Sequence, residues 1–403
     1  MNSKYEVKKL GDYIVQVRGI SYKPTDISEE PIDTHMAVLR ANSIKNNKLI
    51  LEDLIYVNKD LVKENQIIKE NDILIAASSG SKEIVGKSVQ IKDNTNFTFG
   101  AFCKIVRCSE KIEPRYVGYF LRTPYYRSTI SNLVCGANIN NLKNEHIDEL
   151  LIPMPSREIQ QKIVNILDKS QELIDKRKEQ IEALDELVKS KFIEMFGASI
   201  NNPKSWDLTT MDKVIDVIGG YAFKSTDFAD DGIPVLKIGN INSGYFKPTN
   251  LMFWEKDDKL ERYLIKPGDL VISLTGTVGK DDYGNVCIMG TDYDEYYLNQ
   301  RNAKLEIKST ESFNKYYLTY LLKVPEIKQR LTGISRGVRQ ANISNKDILN
   351  LEVPNPPIEL QNKFEEFVKQ IDKLKFEMEK SLKELEDNFN SLMQKAFKGE
   401  LFN

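Results

Sequence analysis

The sequence predicts an α+β protein with two globular domains of short β-strands and helices, each followed by one long helix. Three observations support this prediction. The 403 residues exceed what one hydrophobic core organises, the chain repeats itself at an offset of 201 residues, and each half ends in a long heptad pattern behind a proline-rich junction. We expect the two long helices to pair as an antiparallel coiled coil with pseudo-two-fold symmetry.

The internal repeat is strongest in the second part of each half. Residues 115–196 and 316–397 align without a gap, so that Gln160 faces Gln361 and Phe196 faces Phe397. The same offset returns near the start of each half, where residues 19–23 face 220–224. The repeat predicts a first domain over 1–155, a first long helix within 156–200, a second domain over 201–357 and a second long helix within 358–403.

Each globular domain reads as short strands separated by turns, and each ends at prolines that interrupt helix propagation. The junctions are Ile152–Pro155 and Val353–Pro357. Helices of about 40 residues follow, from about Arg157 to Phe196 and from about Ile358 to Phe397, each roughly 55–60 Å long. Their heptad stripe is mostly apolar over more than four heptads. We expect these residues to form the coiled-coil core: Ile163, Leu167, Ile174, Ile181, Leu184, Val188, Phe364, Val368, Ile371, Met378, Leu382, Leu385 and Phe389.

Composition favours a soluble protein of the cytoplasm. The mean hydropathy is -0.42 and the four cysteines form no CxxC pair. No apolar run is long enough for a membrane span or a signal peptide. The net charge is -2, and residues 1–155 hold 21 basic against 19 acidic side chains, a net of +2. A protein of this charge does not coat nucleic acid by charge alone, so any DNA binding needs local patches or a basic partner.

The sequence carries no convincing catalytic or metal site. Its two histidines, His35 and His146, lie far apart and have no cysteine or carboxylate cluster beside them. Residues 355–358 (Asn-Pro-Pro-Ile) resemble an amino-methyltransferase motif but lack its final aromatic residue and align with the first junction. Residues 80–88 nearly spell a P-loop, yet a strand pattern follows where a P-loop requires a helix. We expect no catalytic residue and no bound metal.

The repeated architecture resembles the specificity subunit of type I restriction-modification systems. The features that carry the resemblance are Leu-Asp-Glu-Leu-Val-Lys-Ser-Lys-Phe-Ile-Glu-Met-Phe-Gly at 184–197, Gly-Gly-Tyr-Ala-Phe-Lys-Ser at 219–225, Lys-Pro-Gly-Asp-Leu-Val-Ile at 266–272, and a Pro-x-x-x-x-Gln start to each helix. Together they cover nearly the whole chain. The first half departs from the pattern at Asn71, where a glycine is expected.

The resemblance implies a non-catalytic, sequence-specific DNA-recognition subunit. By this resemblance, we expect each target-recognition domain to read one half, three to five base pairs long, of an asymmetric bipartite site, and the paired helices to set the spacer. The implied partners are double-stranded DNA, two methyltransferase subunits and two restriction subunits. The resemblance also implies that this chain binds no cofactor itself and that the partner subunits use S-adenosylmethionine, Mg and ATP.

Residues suited to base or phosphate contact recur in both halves. Arg and Lys read guanine, Asn and Gln read adenine, and small polar loops contact phosphates. In the first domain, the DNA-binding candidates are Tyr22, Lys23, Arg40, Ser79 and Lys82. In the second domain, they are Phe223, Lys224, Lys237, Thr277, Lys280, Arg301, Arg336, Arg339 and Gln340.

Two other functions remain open from the sequence. A structural coiled-coil adaptor explains the long helices but leaves the two elaborate domains without a role. A single-chain DNA methyltransferase requires a cofactor-binding loop that the sequence does not show.

Overall fold

The computed structural model describes residues 3–134, 140–197, 202–333 and 340–402. The chain divides into two compact units, one made of Met1–Lys178 with Lys380–Asn403, and the other of Glu179–Glu379. Each unit therefore holds one globular domain and a part of both long helices. Below, they are called the first and the second unit.

The first unit is a mixture of short strands and helices, as the sequence predicts. The strands are Val7–Lys9 (β1), Ile14–Arg18 (β2), Ile27–Ser28 (β3), His35–Leu39 (β4), Ile44–Lys45 (β5), Lys48–Leu49 (β6), Ile55–Asn58 (β7), Ile73–Ala76 (β8), Ser78–Ser79 (β9), Ser88–Gln90 (β10), Phe97–Phe99 (β11), Cys103–Cys108 (β12), Asn140–Asn141 (β13) and Leu151–Pro153 (β14). The helices are Pro114–Phe120 (α1), Pro124–Leu133 (α2), Asn144–Asp148 (α3) and Arg157–Phe196 (α4), whose second part belongs to the second unit.

Two four-stranded sheets form the body of the first domain. One is antiparallel, in the order β10-β8-β12-β2, and the other has the order β11-β4-β7-β3, with β11 parallel to β4. Buried aliphatic side chains such as Leu74 and Ile105 pack between the sheets. Two short ribbons complete the domain: β1 with β14, and β9 with β13.

The second unit repeats these elements. Its strands are Leu208–Thr210 (β15), Ile215–Gly219 (β16), Ile233–Leu236 (β17), Met252–Trp254 (β18), Leu264–Ile265 (β19), Leu270–Ser273 (β20), Thr275–Thr277 (β21), Val286–Ile288 (β22), Tyr296–Leu298 (β23), Asn302–Ile307 (β24), Gln340–Asn342 (β25) and Glu352–Pro354 (β26). Its helices are Met211–Val214 (α5), Lys315–Lys323 (α6), Pro325–Thr332 (α7), Asn345–Leu349 (α8) and Ile358–Lys398 (α9), whose last part belongs to the first unit.

The sheets of the second domain have the orders β16-β24-β20-β22 and β18-β17-β23-β19. The parallel pair β17–β23 corresponds to β4–β11, and the ribbons β15–β26 and β21–β25 correspond to β1–β14 and β9–β13. Short 3₁₀ turns link the strands of both units: Leu10–Tyr13, Pro24–Asp26, Ala41–Ser43, Lys59–Leu61, Glu64–Gln66, Ser225–Asp227, Ile238–Asn240 and Asp258–Tyr263.

A buried glutamine joins each domain to the start of its long helix. Gln160 donates from Nε2 to the carbonyl oxygen of Pro155 at 2.9 Å and accepts from the backbone N–H of Glu113 at 2.9 Å. Gln361 makes the equivalent bonds, both of 2.8 Å, to Pro356 and from Asn314. Both amides are almost fully buried, so each satisfies backbone groups that water cannot reach. This pairing explains the repeated Pro-x-x-x-x-Gln motif.

The long helices pack side by side, and the second unit shows their direction. Lys375 of α9 contacts Asp185 of α4 at 2.7 Å, while Phe364 of α9 lies 5.3 Å, between ring centroids, from Phe192 of α4. Residue numbers rise along α4 as they fall along α9, so the helices are antiparallel, as predicted. In the first unit, Lys178 of α4 pairs with Glu386 of α9 at 2.7 Å.

The carboxyl end of each long helix packs on a domain. In the first unit, Phe397 of α9 packs on Tyr116 with ring centroids 4.9 Å apart. In the second unit, Phe196 of α4 packs on Tyr317 at 4.7 Å. These helix ends are thereby part of each domain's hydrophobic core.

All of the predicted coiled-coil residues are buried or half-buried. Those nearest the domains are the most deeply buried, among them Ile163, Leu167, Phe364 and Val368. The central residues Ile181, Leu184 and Met378 are half-buried, as are Ile371, Leu382 and Leu385, whereas Ile174, Val188 and Phe389 are buried.

Candidate nucleic-acid interface

The polar ribbon β21–β25 of the second unit gathers several of the predicted DNA-contact residues. Thr275, Gly276 and Thr277 pair with Asn342, Ala341 and Gln340. Leu274 connects strand β20 to the ribbon, and its backbone N–H bonds to the carbonyl oxygen of Arg301 at 2.8 Å. This bond places the turn before β24 directly beside the ribbon.

Beside the ribbon lies an open cleft of about 340 Å³. It is lined by Ile238, Asn242, Thr275, Gly276, Thr277, Asp282 and Arg301. Thr277 donates to the Asp282 carboxylate from its backbone N–H at 2.8 Å and from its hydroxyl at 2.9 Å. The backbone bond is the main cause that lowers the pKa of Asp282, so its carboxylate is charged at neutral pH. The cleft therefore contains the exposed guanidinium of Arg301 and the fixed carboxylate of Asp282, and these groups are suited to hydrogen bonds with base edges.

The loop after the ribbon carries a further cation. Lys280 is exposed, and its charge also contributes to lowering the pKa of Asp282. Thr277, Lys280 and Arg301 are thus brought together by the fold. Gln340 pairs with Thr277 through its backbone, its side chain lies outside the described residues, and Arg336 and Arg339 lie outside them altogether.

The remaining DNA-contact candidates of the second unit lie near strand β17. Lys237 follows β17 and holds its ammonium 4.8 Å from the ring centroid of Phe228, a cation–π contact. Phe223 is only 9% exposed and packs edge-to-face on Trp254 at 4.9 Å. This position gives Phe223 a packing role and leaves the neighbouring exposed Lys224 as the group that faces solvent.

The first unit builds an equivalent surface from different side chains. In the ribbon β9–β13, Ser78 and Ser79 pair with Asn141 and Asn140, and the Ser78 hydroxyl bonds to the Asn141 side chain. Lys82 is exposed on the loop that follows. The backbone N–H of Ala77 bonds to the carbonyl oxygen of Phe102 at 2.8 Å, as that of Leu274 does to Arg301.

Tyr22 and Arg40 lie near the turn that precedes β12. Gly100 in that turn approaches the Tyr22 hydroxyl closely enough that an added Cβ would be 3.3 Å from it. Burial raises the pKa of Tyr22, and the positive charge of Arg40 opposes that shift. Arg40 itself donates to the carbonyl oxygen of Asp53 at 2.7 Å, while Lys23 is exposed.

Sequence reasoning missed two groups at this surface. Each lies in the turn beside the ribbon of its own unit. Phe102 in the first unit is 67% exposed, and Gln300 in the second unit is exposed. The strand pair Ala76–Cys103 of the first unit corresponds to the strand pair Ser273–Asn302 of the second. Ala76 is therefore equivalent to Ser273 at an offset of 197 residues, and Cys103 is equivalent to Asn302 at an offset of 199. The offset of 201 that defines the repeat therefore conceals the equivalence of Phe102 and Arg301.

The structure shows no metal site and no membrane span in the part that it describes. Over the described ranges, His, Cys, Asp and Glu side chains nowhere cluster in threes as metal ligands do. Within the same ranges, no helix has both the length and the apolar character needed to cross a bilayer.

Comparison with known proteins supports a single family. The family profile described as "Type I restriction modification DNA specificity domain" matches residues 2–183 and 203–387. The specificity subunit of the type I restriction enzyme EcoKI from Escherichia coli K12 is 28% identical over 403 aligned residues, covering 96% of this chain and 86% of that protein. The StySPI specificity subunit from Salmonella potsdam is 29% identical with the same coverage.

Solved structures share the fold. A chain from a study of assembly and conformational transition of the type I R-M system superposes with a TM-score of 0.56 at 17% identity and covers 98% of both chains. The S subunit of a type I system from M. genitalium superposes with a TM-score of 0.54 at 16% identity, covering 98% of this chain and 96% of that one.

Proposed function

The chain belongs to the type I restriction-modification DNA specificity family, whose members are non-catalytic DNA-recognition subunits, and we propose that its two domains read the two halves of one bipartite site. The observation that carries this proposal is that one fold is built twice with different side chains at the equivalent surface. Ser78 and Phe102 stand in the first unit where Thr275 and Arg301 stand in the second. Because base readout depends on side-chain chemistry, the two half-sites differ and the target is asymmetric.

The helix pair α4–α9 sets the unread spacer between the half-sites. Helices of 40 and 41 residues, about 60 Å long at 1.5 Å per residue, resist bending when they are paired. A dimeric DNA reader fixes the separation of its half-sites by its own geometry. Here, both DNA-reading domains belong to one chain, so the length of the helices between them fixes the separation of the half-sites.

The same helices dock the partner subunits. Leu173 on α4 is 55% exposed and Leu374 on α9 is 45% exposed, and the two are related by the offset of 201. An exposed leucine that recurs at equivalent repeat positions is suited to binding two copies of one partner. These partners are two methyltransferase subunits, which bring S-adenosylmethionine and methylate adenine N6, and two restriction subunits, which use ATP and Mg. The complex acts in the cytoplasm.

The net charge of the chain supports DNA binding that is shared between this chain and its partner subunits. A protein with a net charge of -2 gains little from neutralising phosphates. The partners therefore supply most of the affinity, and this chain supplies the sequence selectivity through its two ribbon surfaces.

The experiment is long-read methylation sequencing of host DNA with and without this gene, in the presence of the methyltransferase subunit of the same system. Loss of an asymmetric bipartite N6-methyladenine motif upon deletion supports the proposal. If every motif persists, the chain does not direct methylation, and the structural coiled-coil adaptor becomes the better explanation.

A further inference from the structure

The turn that precedes β12 in the first unit and the equivalent turn that precedes β24 in the second have opposite chemistry. In the second unit it reads Asn299-Gln300-Arg301, and in the first it reads Gly100-Ala101-Phe102. Equivalent hydrogen bonds hold both turns: Gly100 N–H bonds to Leu39 O, and Asn299 N–H bonds to Leu236 O. The backbone is therefore conserved between the units, while one turn presents polar side chains and the other presents an apolar ring.

Phe102 is the most exposed large apolar residue in the described part of the first unit. It is 67% exposed, although Phe99 and Cys103 on either side of the turn are buried. The polar ribbon lies directly beside it, because the N–H groups of both Ala77 and Ser78 bond to the Phe102 carbonyl oxygen. An exposed phenyl ring leaves apolar surface in contact with water, so a contact that covers the ring gains the free energy of burying that surface.

The equivalent position of Arg301 indicates which kind of contact would cover Phe102. Arg301 is exposed at the edge of the cleft in the second unit, and an arginine presented in this way donates two hydrogen bonds to guanine. A phenyl ring can neither donate nor accept such bonds. The apolar group that a base pair offers in the major groove is the C5-methyl of thymine.

We propose that Phe102 is a specificity-determining residue that contacts a thymine methyl group in the half-site read by the first domain. This inference rests on the proposed function. The equivalent Arg301 selects guanine in the other half-site, so a single turn position contributes to the difference between the two half-sites.

The test uses the complete complex of this chain with its methyltransferase subunits and a DNA duplex carrying the methylated motif. Phe102→Ala is expected to weaken binding roughly 5- to 30-fold, the effect of removing a partly buried apolar contact. Replacing one thymine of the first half-site by uracil, which lacks only the methyl group, is expected to weaken wild-type binding about 4-fold, the effect of losing one buried methyl group. The same replacement has no effect on the Phe102→Ala complex, because the contact is already gone.

Two further variants sharpen this test. Val15→Ala is the matched control, since Val15 is 63% exposed and pairs with Arg107, about 17 Å along β12 from Phe102 at 3.4 Å per residue. It should bind as the wild type does. Phe102→Arg is expected to change the preference at the thymine position to guanine. Gly100 stays unchanged in these variants, because a Cβ there would crowd Tyr22.

Three outcomes would overturn the inference: wild-type binding by Phe102→Ala, a loss of binding that no thymine-to-uracil replacement reproduces, or a loss that depends equally on the second half-site. In each of them the wild-type complex still selects a bipartite motif, so the proposed function stands. If the wild-type complex selects no motif, the proposed function itself fails.

Discussion

Asn71 shows how a single residue can depart from a family pattern and keep the structure. The glycine expected before Asp72 is present in the second unit as Gly268, which has a φ of 86°. Asn71 has a φ of 67° and occupies the same left-handed region. Asparagine tolerates this region better than other residues with a side chain, so the turn before the central strand is preserved.

Gln361 offers a direct test of the joint between the second domain and α9. Gln361→Ala removes both hydrogen bonds and leaves a buried N–H and a buried carbonyl unpaired, at a cost of about 2–4 kcal/mol. Urea unfolding followed by tryptophan fluorescence reports on this unit, because Trp206 and Trp254 both belong to it. Gln370→Ala, an exposed change on the same helix, is the control and should be neutral. Equal unfolding midpoints for both variants would show that the joint is not important for stability.

Lys104 gives the first unit a specific pH dependence. Its side chain is buried and donates to Gln16 at 3.0 Å and Asn144 at 2.8 Å. Desolvation lowers the pKa of Lys104 to about 8, below the value in the unfolded chain. Between pH 8 and about 10.5 the unfolded state binds more protons, so the contribution of Lys104 to stability rises with pH across that window and is constant below it.

The measurement is amide hydrogen exchange of β8, the strand paired with β12, at pH 7.5 and 9.5. After correction for the intrinsic exchange rate, protection in the wild type is expected to rise relative to that in Lys104→Met, by about 1–2 kcal/mol in opening free energy. If the two proteins change in parallel, the ammonium of Lys104 is not desolvated as the structure indicates.

At the scale of elements, the long helices were the most predictable part of the chain. The heptad stripe and the flanking prolines predicted helices from about Arg157 and Ile358, and the structure begins them at those residues. Such a pattern is sustained over many turns, so local errors average out. The strands were predicted only as a class, because runs of two to six residues carry too little periodicity to fix their pairing.

The ribbons were beyond prediction for a different reason. Strands such as Ser78–Ser79 and Thr275–Thr277 are short and polar, and each pairs with a segment more than 60 residues away. Hydrophobic patterning does not mark partners of this kind. Sequence reasoning therefore named Ser79, Thr277 and Arg301 individually but not the surface that assembles them, and it missed Phe102, since an isolated phenylalanine predicts a core position.

The helix pair can be tested with two neighbouring residues of α4. Val188 is 2% exposed and Leu187 is 47% exposed. Val188→Asp places a carboxylate among apolar side chains of α9 and the second domain and is expected to cost at least about 3 kcal/mol in unfolding free energy. Leu187→Asp should change it by no more than about 0.5 kcal/mol. Equal effects in urea unfolding would argue against the packed face that the structure gives α4.

At the scale of the whole molecule, the repeated leucines predict the stoichiometry of the complex. Leu173→Asp and Leu374→Asp each place a charge in one proposed docking surface. Each is expected to lose one methyltransferase subunit, and the double variant should lose both, as measured by native mass spectrometry of the co-expressed complex. Leu187→Asp is the control, because its repeat counterpart Asn388 is polar. A single variant that loses both subunits, or neither, would contradict two equivalent surfaces.

The proposed role of the helix pair in setting the spacer predicts how the DNA target responds to helix length. Seven residues inserted after Glu182 in α4 and seven after Met378 in α9, the facing position by the Asp185–Lys375 contact, preserve the heptad register. The pair lengthens by about 10.5 Å, which corresponds to roughly three base pairs.

Methylation sequencing of a strain carrying this variant is expected to show the same two half-sites with a longer spacer. The control is an insertion of four residues after Glu182 alone, which shifts the apolar stripe of α4 against that of α9 and should abolish assembly. The two insertions separate length from register, because the first changes only the distance and the second disrupts the packing. If the seven-residue variant assembles and methylates with an unchanged spacer, the helices do not measure the site, and the separation of the half-sites must be set by the partner subunits.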